Sequence, residues 1–121
     1  MFDFERLELY QIVKDQIIKV LSFLQTNKSP DPYIMDQWKR SNLSIYLNLI
    51  EGTGRMSETD KIHFLTISRG SVYESVAILN LLKDLKNIDE NDYNDLYNRY
   101  ESISKMLLAM YRSYSNTLKQ K

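Results

Sequence analysis

The stretch Asp89-Glu90-Asn91-Asp92-Tyr93-Asn94-Asp95-Leu96-Tyr97-Asn98-Arg99-Tyr100, continuing Glu101-Ser102-Ile103-Ser104-Lys105-Met106-Leu107-Leu108-Ala109-Met110-Tyr111-Arg112-Ser113-Tyr114, decides the fold. Its apolar positions Tyr93, Leu96, Tyr100, Ile103, Leu107, Met110 and Tyr114 recur at steps of three and four. That is the period at which one face of an α-helix returns, and no Gly or Pro interrupts it. Asp89 is placed to cap the helix with Asp92 three residues on, and Ile88 and Tyr93 stand at the positions of a hydrophobic staple.

Working outward, the same period runs through Leu7, Tyr10, Val13, Ile17, Leu21 and Leu24. Asn27 with Pro30-Asp31-Pro32 closes that segment: Asn27 suits a left-handed helix end, and Asp31 with Pro32 suits the start of the next helix. A second helix carries Trp38, Ser41, Ile45, Asn48 and Gly52 on one stripe and Leu43, Leu47 and Ile50 on another, and is expected to run to about Glu51 and break at Gly52-Thr53-Gly54. Ser57-Glu58-Thr59-Asp60 reads as a capping box for a third helix through Ile62, Leu65, Val72, Val76, Leu79 and Leu82. The expected helices are 4–26, 32–51, 58–86 and 90–117. Three Gly and two Pro in 121 residues allow few turns, so the elements are few and long. The predicted fold is all-α: one domain, residues 1–121, forming an antiparallel up-down-up-down four-helix bundle with short connections.

Composition excludes several classes of function. Sixteen Lys+Arg balance sixteen Asp+Glu, which argues against a strongly basic nucleic-acid binder. There is no Cys, so no disulfide, thiolate metal site or cysteine nucleophile. The single histidine, His63, has Thr59 and Ile67 at the positions four residues away, so no metal site is expected. Gly52-Thr53-Gly54-Arg55 lacks the Gly-Lys-Ser/Thr ending of a phosphate loop. Ser68, Ser71 and Ser75 have no activating histidine nearby, and no acid/base partner can be argued for Glu51 or Glu74. No enzyme activity and no cofactor are expected. The opening Met1–Arg6 lacks a signal-peptide pattern and no apolar run approaches membrane length, so the expected location is the cytoplasm, with no membrane role.

One feature exceeds what a monomeric bundle needs. Ile67, Ala77, Leu81 and Leu85 lie off the main apolar face of the third helix, which points to burial between subunits. Gly70, inside that helix, costs about 1 kcal/mol relative to Ala and predicts close approach by a neighbouring helix. Asn48, Glu51, Arg55, Arg69 and Glu74 sit among residues built for burial, as does Arg40. They are expected to form a structural polar network within or between subunits, because buried charges persist only when paired. Arg69 and Glu74 are five positions apart, about 500° of helical rotation, so each needs a partner other than the other.

The stretches Trp38 to Ile45, Asn48-Leu-Ile-Glu-Gly-Thr-Gly-Arg55 and Phe64-Leu-Thr-Ile-Ser-Arg-Gly-Ser-Val-Tyr-Glu74 resemble the 23S rRNA intervening-sequence protein family, also called the four helix bundle protein family. Phe4-Glu-Arg-Leu7 with Tyr10-Gln11 is similar to the family's opening, and the resemblance spans about residues 2 to 114. Departures are Ser41-Asn42, Leu49-Ile50 and Ser68. The resemblance implies a homopentameric barrel with a central channel. A related family, the accessory variability determinant proteins of diversity-generating retroelements, binds a reverse transcriptase and nucleic acid. RNA, or a nucleic-acid-processing protein, is therefore the expected partner besides the chain itself. Lys39, Arg40, Arg55, Lys61 and Arg69 are the candidate basic patch, expected around the connection between the second and third helices. The competing expectation is a protein–protein adaptor with no nucleic-acid role.

Overall fold

Short polar side chains start three of the helices by accepting hydrogen bonds from backbone amides that the first turn leaves free. Asp31 accepts from the amides of Tyr33 and Ile34, Ser57 from Asp60 and Asp89 from Asp92. In the computed structural model, which describes residues 1–120, the helices are α1 (Glu8–Thr26), α2 (Pro32–Gly54), α3 (Glu58–Asp84) and α4 (Glu90–Lys119). No strand occurs among the described residues.

The start of the first helix, the cap that ends it and the end of the second helix differ from expectation, each for a local reason. The first helix does not begin at Phe4. Asp3–Arg6 form a 3-10 turn, closed where the Phe2 amide donates to Glu5 Oε1 at 3.0 Å, and Leu7 is extended before α1 starts. Asn27 is not left-handed (φ −116°); it ends α1 by donating its side-chain Nδ2 to the Phe23 carbonyl at 2.9 Å.

The second helix does not stop at Gly52. It runs through Gly54, because Gly52 serves close packing rather than termination: a Cβ there would sit 3.2 Å from Phe64 Cβ and 3.4 Å from the Lys61 carbonyl. At the end of α3 the left-handed position falls on Lys86 (φ 60°). The Lys86 amide donates to the Lys83 carbonyl at 2.9 Å and the Asn87 amide to the Leu82 carbonyl at 2.8 Å. This is a Schellman ending with lysine where glycine is usual.

The helices pack in sequence order, α1 on α2, α2 on α3, α3 on α4, and α4 closes back on α1. The diagonal pairs stay apart. Val13, Val20, Trp38, Ile45, Leu49, Leu65, Leu79, Tyr100, Ile103 and Leu107 fill the centre. The α2–α3 pair is seamed by serines. Ser41 and Ser75 hydroxyls meet at 2.7 Å, Ser71 donates to Ser44 at 2.8 Å and Ser68 donates to the Ile45 carbonyl at 2.8 Å. Gly52 against Phe64 continues the same antiparallel register. Small side chains let these backbones approach, and each hydroxyl is satisfied where it is buried. No helix among the described residues is long and apolar enough to cross a membrane.

Candidate functional site

The polar residues singled out in the sequence separate into three places. Glu51 in the last turn of α2 and Arg55, the extended residue just past its end, form an ion pair, both about half exposed, with the Arg55 guanidinium 4.6 Å over the Phe64 ring. Asn48 donates to the Ser44 carbonyl and hydroxyl at 2.9 and 3.0 Å. Arg69 turns toward α4, donating from Nε to the Ser104 carbonyl at 3.4 Å and from Nη2 to the Tyr73 hydroxyl at 3.2 Å. Glu74 lies on the other flank of α3, beside Tyr33, Gln37 and Leu81. The structure therefore brings Glu51 to Arg55 and keeps Arg69 and Glu74 apart.

Two placements need correction. Gly70 is exposed, and no heavy atom lies within 4 Å of where its Cβ would stand, so within the chain the close-packing glycine is Gly52. Helical phase explains the difference: Gly70 faces outward, Gly52 faces α3. The residues Lys39, Arg40, Arg55, Lys61 and Arg69 do not form one patch. Arg55 stands sixteen positions after Lys39, about 24 Å along the axis of α2. Arg40 pairs with Asp36 at 2.8 Å, Lys61 donates to the Thr53 carbonyl at 3.0 Å, and Arg69 points to α4.

The buried polar layer lies elsewhere. Gln16, fully buried on α1, donates to the Leu96 carbonyl at 2.9 Å and accepts from Arg99 Nη1 at 2.7 Å. Arg99 also pairs with Asp95 at 3.0 Å, and Lys19 meets the same carboxylate at 2.9 Å. These cations, Lys19 foremost, hold the Asp95 carboxyl below the ordinary range. Tyr100 donates to Asn42 Oδ1 at 2.5 Å, and Asn42 donates to the Trp38 carbonyl at 2.7 Å. Burial pushes the Tyr100 hydroxyl well above the usual tyrosine range, against the opposing pull of Asn42, Trp38, Ser75 and Gln16. Trp38 Nε1 is the one buried side-chain polar atom without a hydrogen bond among the described residues. The signal for this layer was a polar residue at a core step, as at Gln16 between Val13 and Val20 and at Asn42 between Trp38 and Ile45.

Two surfaces remain unfilled. One is the α2–α3 face, where Tyr33 (71%), Leu47 (57%), Ile67 (38%) and Leu81 (43%) are exposed. The other is the cleft between α3 and α4, with cavities of about 350 and 470 Å³ that share Arg69 and Tyr73. Among the described residues no group of three or more His, Asp or Glu is placed to hold a metal ion.

A small antiparallel four-helix bundle with a buried polar layer, hydrogen-bonded except at Trp38 Nε1, and two open surfaces is the class this geometry defines. The chain belongs to the family described as 23S rRNA-intervening sequence protein, whose model matches residues 5–109. Among solved structures, it is similar to a crystal structure of a protein with unknown function from the S23 ribosomal protein family of Bacteroides thetaiotaomicron VPI-5482. That match has a TM-score of 0.79 at 23% identity and covers 85% of this chain and 97% of the other, which shows the shared fold. No curated protein matches the chain.

Proposed function

We propose that this chain is a non-enzymatic, self-assembling bundle that docks RNA or an RNA-processing protein in the cytoplasm. The observation that carries self-assembly is the α2–α3 face. Tyr33, Leu47, Ile67 and Leu81 are large, apolar and exposed on two adjacent helices, and Tyr33 and Leu81 line one shallow depression with Ala77. Apolar residues gathered on one face mark a site of association. The family resemblance supplies five as the number of subunits and RNA as the class of partner. Sedimentation of the purified chain tests the assembly, with a pentamer expected. Leu47→Glu combined with Leu81→Glu is expected to yield folded monomers, because each charge would be buried unpaired in the contact. A parent chain that sediments as a monomer at micromolar concentration overturns the assembly reading.

The adaptor reading, with no nucleic acid, draws on the zero net charge and on the dispersal of Lys39, Arg40, Arg55 and Lys61. Identifying what copurifies with the tagged chain at physiological salt separates the two: RNA for the first, protein alone for the second.

A further inference from the structure

The charges of α4 are segregated along its length. Its first part carries Glu90, Asp92, Asp95 and Glu101 against Arg99, whereas from Ser102 to Lys119 there is no Asp or Glu and there are three Lys or Arg. An acidic start and a basic end complement the helix dipole, but that effect fades within the first and last turns. Lys105 and Arg112 lie well inside α4, beyond its reach.

Lys105, Arg112 and Lys119 are spaced by seven, so they share one side of the helix at intervals of about 10 Å. All three are exposed, and none pairs with a carboxylate among the described residues. Lys105 lines the α3–α4 cleft together with Arg69, Tyr73 and Tyr97, with Glu101 at its acidic end, and the cleft continues past Gly70 and Leu108 to Tyr111. Arg69 is also without an acid: its contacts are a carbonyl, a hydroxyl and the Tyr73 ring 5.1 Å away. That stacking and the hydrogen bond to its hydroxyl hold Tyr73 in place while 59% of it remains exposed.

We propose that the α3–α4 cleft, with the cation row Lys105, Arg112 and Lys119 along its side, is a groove for single-stranded RNA. The inference rests on the RNA half of the proposed function and names its surface. Proteins that hold single strands combine a positive groove tracking the backbone with aromatic rings on which bases stack. Arg69, Lys105, Arg112 and Lys119 are the backbone contacts, and Tyr73 and Tyr111 are the stacking faces. The bare Gly70 backbone leaves the groove open between them. An acidic helix would match the charges, but the exposed tyrosine rings favour flat bases.

The test is fluorescence anisotropy with a labelled oligouridine of about 20 nucleotides, and with a polyglutamate peptide as the acidic-protein arm. The parent chain is expected to bind oligouridine with a log–log salt slope of about −3, from four phosphate contacts. Lys105→Gln with Arg112→Gln is expected to weaken binding at least about tenfold and flatten the slope, and Lys105→Arg with Arg112→Lys to restore both. Tyr73→Leu is expected to weaken binding about tenfold with the slope unchanged. Lys39→Gln with Arg40→Gln is expected to leave binding as in the parent. Equal binding by parent and Lys105→Gln/Arg112→Gln overturns the cleft and spares RNA binding as such. A parent chain that ignores oligouridine overturns both, and capture of polyglutamate alone, lost in the same variant, assigns the groove to an acidic protein. Unchanged thermal melting of these surface variants confirms that each is folded.

Discussion

The hydroxyl of Tyr100 on α4 reaches Asn42 on α2 at 2.5 Å across the diagonal of the bundle, between helices whose backbones do not touch. The length of a tyrosine side chain makes this tie possible, and it fixes the register of two elements that no backbone packing relates. Tyr100→Phe strands Asn42 Oδ1 in a site 1% exposed and should cost about 1–3 kcal/mol of unfolding free energy, measured by urea denaturation. Tyr100→Phe with Asn42→Leu removes both partners and should recover part of that loss. A single mutant as stable as the parent would remove the tie from the account.

The same tyrosine gives the bundle a limit on the alkaline side. Burial raises the folded-state pKa of Tyr100, and Tyr46 is pushed up to about 12, first by its hydrogen bond with the Tyr10 hydroxyl and then by burial. A raised folded pKa contributes stability that is complete below the unfolded value of about 10 and is lost as pH rises above it. Urea midpoints should be level up to about pH 9 and fall beyond about pH 10. Tyr100→Phe should show a shallower alkaline decline than the parent.

The glycines should respond in opposite directions. Gly52→Val drives a branched side chain against Phe64 and should destabilise by about 1–3 kcal/mol. Gly70→Ala meets open space in an exposed helix and should stabilise by about 1 kcal/mol. Differential scanning calorimetry of both variants decides, and a lower melting temperature for Gly70→Ala would show that something outside the chain packs on it.

Lys86 carries the one positive φ among the described non-glycine residues. Lys86→Gly removes the clash between Cβ and carbonyl in the left-handed conformation and should raise stability by about 1 kcal/mol, less the entropy glycine adds to the unfolded chain. An unchanged urea midpoint would mean the two terms cancel.

Glu51→Gln breaks an exposed ion pair and should change stability by no more than about 0.5 kcal/mol. A larger loss in the assembled protein than in the Leu47→Glu/Leu81→Glu variant would place Glu51 in the subunit contact.

The sequence by itself determined the four helices, because each carries an apolar repeat of three and four, and α2, α3 and α4 also carry capping side chains that act on their own immediate neighbours. Asp31, Ser57 and Asp89 each bond an amide two or three residues away, so no tertiary information was needed to read them. Only the tertiary structure decided what the polar residues and glycines do, because their roles depend on which helix stands opposite. Ser68, Ser71 and Ser75 became a seam once α2 lay against α3, and Gly52 proved a packing residue because Phe64 stands against it. Lys39 and Arg55 separated because a straight helix holds them a fixed distance apart, while Arg69 and Lys105, thirty-six positions apart in sequence, met in one cleft because α3 and α4 run side by side.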